Sequence, residues 1–319
     1  MSDAAETHRD LLALCSLTGS DDRCDWGVIA RQAHRERTLD GLKSGEVLES
    51  SDRAHRTGWL LRTATPAQWA AAYARADAEL DAAAACSARM TSVLDDDYPT
   101  NLCFIHNLPP FLFYRGALDP HKDVHSLAVV GTRRASTVGL KRSRHMARKL
   151  VEHGVSVVSG LARGIDTAAH RAALDAGGRT VAVFGTGISQ VYPAENAELV
   201  AEIIDTDGLV VSQFYPTTTP APWTFPKRNE VTSGISQGTA VIEASQTSGA
   251  RMQARLAYEH GKQVFLVESL TATQEWAKRM LDEGHAIVVR NFDDLARELV
   301  AADRLLEASK ELHLEPFSL

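Results

Sequence analysis

The spacing of apolar positions changes twice along this chain. In the first ninety residues, LLALCSL and PAQWAAAYARADAELDAAAACSARM carry alanine, leucine and aromatic side chains at i, i+3 and i+4 intervals, which predicts helices. Asp95-Asp96-Asp97-Tyr98-Pro99 breaks that pattern. NLCFIHNLPPFLFYRGAL then mixes apolar residues with Pro109-Pro110, which predicts an irregular or edge-strand segment. From Leu127 the period changes again. Short, wholly apolar runs recur (LAVVG, VSVVSG, TVAVFG, GLVVS, GTAVIEA, QVFLVE and HAIVVR), most of them followed by a helical pattern. Strands apolar on both faces and alternating with helices predict a parallel sheet covered on both sides.

Helix boundaries follow from the same reading. Asp166 is expected to cap TAAHRAALDA, which stops at Gly177-Gly178, and Glu195 and Asn196 fall near the start of the next helix. The stretch from Phe292 is expected to form a final helix and a short extension. The predicted fold class is therefore α/β: a doubly wound, mostly parallel, extended Rossmann-like sheet with a small N-terminal helical domain. The expected division is a helical domain over 1–92 and the Rossmann-like domain over 93–319. In such a sheet the ligand is expected outside the carboxyl ends of the strands, near the topological switch point.

Composition narrows the class. A 319-residue chain with 44% hydrophobic and 24% charged residues suits an ordinary globular protein. No apolar run reaches membrane-spanning length, and MSDAAETHRD does not read as a signal peptide, so a cytoplasmic location and no membrane partner are expected. Cys15, Cys24, Cys86 and Cys103 are scattered without ligand spacing, which predicts reduced thiols and no metal site. The net charge of −7 does not announce a nucleic-acid partner. Its distribution matters more. Between Asp123 and Glu152 there is no acid, while Arg133, Arg134, Lys141, Arg142, Arg144, Arg148 and Lys149 fall there.

Those cations border the candidate chemistry at the predicted strand ends. Gly131, Thr132, Arg133 and Arg134 follow the first run, a small-residue turn that admits a ligand and carries guanidinium clamps. Ser159, Gly160, Arg163, Gly164 and Asp166 follow the second, where glycines leading into a helix suggest amides aimed at an anion. Gly185 and Gly187 end the third, and Tyr192 follows, to stack or to pack. Trp223 and Phe225 stand beside Lys227, Arg228 and Asn229 after the fourth, and Ser248 and Gly249 open a helix after the fifth. Small, basic and aromatic groups converging on one edge suit a ligand with phosphates and flat bases.

These residues carry a resemblance. YPTNLCFIHNLPPFLFYRGAL, VVGTRRAS, VVSGLARGIDTAAHRAALDAGGRTVAVFGTGISQVYPAENAEL and FPKRNEVTSGIS…AVIEASQTSGA…GKQVFLV are similar to the DNA-processing protein A family (DprA, also called Smf), over about Tyr98 to Val267. The resemblance implies single-stranded DNA bound in a positively charged pocket, a homodimer, and delivery of the strand to the RecA recombinase during DNA uptake. It implies no cofactor and no catalytic residue. Its Gly-Thr-Arg turn falls on Gly131–Arg133, its glycine loop on Ser159–Asp166, and its Phe-Pro-basic-Arg-Asn element on Phe225–Asn229. The chain departs from the pattern at Ser212-Gln213, Glu230 and Glu268-Ser269. It also leaves no room for the C-terminal winged helix common in the family.

Two other classes stay open. One is a nucleotide- or DNA-sensing regulator or antitoxin with a toxin or effector partner, as in bacterial defence. The other is a nucleoside-monophosphate phosphoribohydrolase, whose G-T-x-x-E element is echoed at Gly238–Glu243, although AVIEA reads as a buried strand. His170, one turn after Asp166, offers a possible acid–base pair and more often would pack.

Overall fold

The computed structural model describes residues 3–19, 23–299 and 304. Its strands are β1 (Arg89–Ser92), β2 (Phe111–Gly116), β3 (Ser126–Gly131), β4 (Ser156–Ser159), β5 (Thr180–Val183), β6 (Leu209–Ser212), β7 (Gly238–Glu243), β8 (Gln263–Val267) and β9 (Ile287–Val289). They form a sheet of order β1-β2-β6-β5-β4-β3-β7-β8-β9. From β6 through β9 every neighbouring pair is parallel, and β1-β2 and β2-β6 are antiparallel. The chain winds outward from β3 through β4, β5 and β6, then returns to lay β7 on the other side of β3. Beside β3, therefore, the carboxyl ends of two strands open a crevice.

Alternation along β3 shows why both faces are covered. Leu127 and Val129 join one apolar cluster, and Ala128 and Val130 join the other. The first cluster draws Met146, Ala147 and Leu150 from helix α7 (Thr137–Glu152) and Ile165, Ala169, Ala172 and Ala173 from α8 (Ile165–Asp175). The second draws Val231 and Ile235 from α10 (Thr224–Ile235) and Ala250, Ala254 and Ala257 from α11 (Gly249–Glu259). Strand side chains alternate in direction, so each wholly apolar run needs two such layers.

The N-terminal helices α1 (Asp3–Ser16), α2 (Trp26–Glu36), α3 (Asp40–Lys43), α4 (Asp52–Thr63) and α5 (Pro66–Ala85) bear out the helical pattern. Their core runs without a break into that of the sheet. Trp26 lies 5.1 Å from Phe111, and the Ser16 and Tyr215 hydroxyls share a hydrogen bond of 2.7 Å. The short helices α6 (Pro120–Asp123), α9 (Ala197–Asp205), α12 (Glu268–Thr273), α13 (Glu275–Asp282) and α14 (Phe292–Ala296) complete the described helices.

Two expectations need correcting. The Pro109-Pro110 segment leads into β2, which is paired on both sides; the edge place belongs to β1. Asp166 does not cap α8. Gly164 does, with φ +78, and Asp166 lies inside the first turn. A side chain on Gly164 would meet the Thr132 carbonyl oxygen at 2.5 Å, so the close approach of the two loops requires glycine there. Glu195 and Asn196 do stand at the start of the next helix: they close a 3₁₀ turn (Ala194–Asn196), and Asn196 occupies the N-cap position of α9 without a side-chain bond to it. Of the final helix expected from Phe292, α14 is seen, and the stretch beyond residue 299, except 304, lies outside the described residues.

Candidate nucleic-acid interface

A cleft of about 600 Å³ opens at the carboxyl ends of β3, β4 and β7. Its walls are Val130–Arg134 after β3, Gly160 and Ala162 after β4, Ser245 and Thr247 after β7, and the first turns of α8, α10 and α11. FPKRN forms the opening of α10. Phe225, Arg228, Asn229 and Thr232 therefore share one helical face, and all four line the cleft. Gly131, Thr132, Arg133, Arg134, Gly160, Asp166, Ser248 and Gly249 also line it.

The other predicted residues stand elsewhere. Ser159 is buried, with its hydroxyl donating to the Val129 carbonyl at 2.7 Å. Arg163 is tied to Glu195 at 2.5 and 2.6 Å on the surface. Lys227 pairs with Glu230 at 2.7 Å, away from the cleft lining. Gly185 lies under the Phe225 ring, and Gly187 lies against the carbonyls of Tyr215 and Pro216. These two glycines shape the neighbouring backbone rather than the cleft wall. Trp223 is exposed, edge-on to Phe214 at 5.6 Å, and is also outside the lining.

The loop that promised an anion socket holds an anion of its own. Asp166 is buried, and its carboxylate accepts from the Ala162 amide at 3.3 Å, with the Gly160 and Gly131 amides close enough to favour its charged form. Burial pushes its carboxyl up to about 6, while Arg228 and those amides pull the other way. The Arg228 guanidinium is equally enclosed. Its Nη1 donates to the carbonyls of Gly160 and Val183, and its Nε donates to Asn229 Oδ1. It fills the space where a side chain on Gly160 would stand. Arg228 is thus first a strut between β4, β5 and α10.

Arg133 and Arg134 are exposed at the mouth. The Arg133 guanidinium lies 5.2 Å from the Phe225 ring centre, leaving its donor edge open to a phosphate. Across the cleft Ser248 caps α11, its hydroxyl accepting from the Ala250 amide at 3.2 Å, and Ser248, Gly249 and Ala250 line that wall, which puts the positive end of the helix dipole there. Only Asp166 among the lining residues is acidic, and it is already paired.

Two supports were not singled out in the sequence as such. Asn196 Nδ2 donates to the Leu161 carbonyl at 2.9 Å and to Thr167 Oγ1 at 3.0 Å, pinning the β4 loop. Glu243 accepts from the Ser136 hydroxyl at 2.8 Å and its amide at 3.2 Å, fixing the start of α7 to the end of β7. His170 is fully buried and bonded to the Thr180 hydroxyl at 2.7 Å, and burial drives its imidazole down to about 3. It forms no hydrogen bond with Asp166, so the acid–base pair is not assembled.

The sequence pattern of the family described as DNA recombination-mediator protein A matches residues 89–300. The chain belongs to that family. Among curated members of the DNA recombination-mediator protein A family, the DNA processing protein DprA of Streptococcus pneumoniae is 40% identical over 207 residues, covering 64% of this chain and 72% of that protein. Protein Smf of Escherichia coli is 41% identical over 170 residues, 53% of this chain and 45% of that protein. The crystal structure of the pneumococcal protein superimposes with a TM-score of 0.73 at 30% identity, over 92% of this chain and 99% of the other. DNA processing protein A of Helicobacter pylori shares the fold, with a TM-score of 0.57 at 24% identity over 69% of this chain and 97% of the other.

Proposed function

We propose that the cleft binds single-stranded DNA in DNA processing or recombination, holding the strand without breaking a bond. The observation that carries this reading is the exposure of Arg133 and Arg134 at the mouth of a cleft whose other walls are the start of α11 and the Phe225 ring. Cations and amides take phosphates, and the ring offers a base about 1–3 kcal/mol of stacking. Family membership supports it, and so does the single-strand binding mode described for the H. pylori protein. Neither protein-side acid suits catalysis: Glu243 is bonded to Ser136, and Asp166 to the Ala162 amide. The test is a salt-titrated binding assay with single-stranded DNA, duplex DNA and free nucleotides. Steeply salt-dependent binding of the single strand with no product formed supports the reading. Base release from a nucleoside monophosphate that disappears in Glu243→Ala would replace it with the hydrolase reading.

The same proposal includes a homodimer, RecA as the recipient of the strand, and action in the cytoplasm; no helix among the described residues is long and apolar enough to cross a membrane. A second copy needs an apolar face. A cavity of about 660 Å³ lined in part by Met252, Tyr258, Trp276 and Met280, between α11 and α13, supplies one. Sedimentation of Tyr258→Asp against the parent protein tests that face.

A further inference from the structure

The acid-free segment that follows β3 contains more cations than the cleft uses. Helix α7 buries Gly139, Ser143, Met146, Ala147 and Leu150 against the sheet and α8. Its opposite face exposes Lys141, Arg144, His145 and Arg148, at i, i+3, i+4 and i+7. These positions form one stripe about 10 Å long at 1.5 Å per residue. The stripe begins one turn beyond the N-cap Ser136, two residues after Arg134 at the cleft mouth. Other cations of the segment are engaged: Arg142 donates to the Ser269 hydroxyl at 2.6 Å, and Lys149 pairs with Glu152 at 2.6 Å. Among the described residues Lys141, Arg144 and Arg148 make no ion pair within 4 Å, although Glu152 feels the charge of Arg148. Elsewhere in the Rossmann-like part Arg163, Arg171, Lys227 and Arg290 have carboxylate partners, whereas the exposed Arg251, Lys278 and Arg279 make no ion pair among the described residues either but are not continuous with the cleft-mouth arginines along one helix face.

We infer that this face of α7 is a track for the sugar–phosphate backbone of the strand where it leaves the cleft. This rests on the single-strand reading of the cleft and extends it. Unpaired cations at helical spacing, continuous with the arginines at the mouth, match a chain of phosphates and carry no means of reading bases. The track therefore adds affinity only for a strand long enough to reach it from the cleft and is indifferent to sequence.

The experiment compares a hexanucleotide as the short strand with one of about 16 nucleotides, the upper end of the roughly 4–16-nucleotide site sizes of single-strand binders. The variant is Lys141→Gln, Arg144→Gln, Arg148→Gln. Its control is Arg35→Gln, Arg53→Gln, Arg56→Gln, which removes three exposed charges from the N-terminal helices. The expected result is unchanged hexanucleotide binding with a loss of about tenfold to a hundredfold for the long strand. The salt slope for the long strand should become shallower by about 2, with the control variant behaving as the parent. Equal long-strand binding by parent and α7 variant overturns the track and leaves the cleft reading intact. An equal loss in the control assigns the effect to net charge and also overturns it. If the parent protein binds neither strand, the cleft reading fails and the track with it.

Discussion

The loops that end β3 and β4 look alike in sequence: each has a glycine, a small hydroxylated residue and arginine. Their structures divide the work. After β3, Arg133 and Arg134 stay exposed and aim at the cleft. After β4, the amides of Gly160 and Ala162 turn inward onto Asp166, Ser159 bonds Val129, and Arg163 bonds Glu195. One loop leaves its arginines open to the cleft, and the other engages its donors within the protein. A glycine-rich strand end therefore predicts freed amides, and whether a ligand or the protein's own carboxylate receives them is a separate matter.

The sharpest way to break this contrast is Asp166→Ala. It removes the buried negative charge near Arg228 and leaves the Ala162 amide without its acceptor, so unfolding stability should fall by about 3 kcal/mol in a denaturant titration. If stability is unchanged, the β4 loop is not the scaffold. Next comes Arg133→Ala with Arg134→Ala. The fold should stay within about 0.5 kcal/mol of the parent, while single-strand affinity drops and its salt slope shallows by about 1.4. A folded double variant that binds as the parent does would remove the open loop from the interface.

A pH series sharpens the comparison further. The Asp166 carboxyl stands at about 6 in the fold against an ordinary 3.8, so the folded state binds the extra proton. Its stabilising contribution is complete below about pH 3.8 and is lost as pH rises through about 6. Protonation also removes the one negative charge lining the cleft. Strand affinity should therefore rise a few-fold from pH 7.5 to 5.5, a trend that Asp166→Asn should flatten when fluorescence anisotropy is followed across that range. The smallest effect belongs to Arg163→Ala. Its pair with Glu195 is exposed to solvent and screened, so unfolding stability should match the parent and strand binding stay within twofold of it, measured in the same assays.

Much of the sheet was legible because its signal is local. Seven apolar runs became β3 to β9, since a strand buried on both faces has no polar alternative in its sequence. β1 escaped, because RMTS has neither length nor alternation and owes its place to pairing with β2. In the site, Gly131, Arg133, Arg134, Ser248 and Gly249 were visible as small or basic residues following strands. Thr232 and Gln253 were not, because they reach the cleft only when α10 and α11 are docked at particular rotations about their axes.

The sequence by itself determined the alternation of strand and helix, the glycine at 164 and the acid-free basic segment, all of which follow from backbone sterics and side-chain chemistry within a few residues. Only the tertiary structure decided which donors remain free. Arg228, Lys227 and Arg163 are alike as side chains. One is enclosed among the Gly160 and Val183 carbonyls, one faces Glu230, and one meets Glu195, thirty-two residues along the chain. Which partner a charged side chain meets depends on how distant segments pack, and that packing left Arg133 and Arg134 exposed at the cleft mouth.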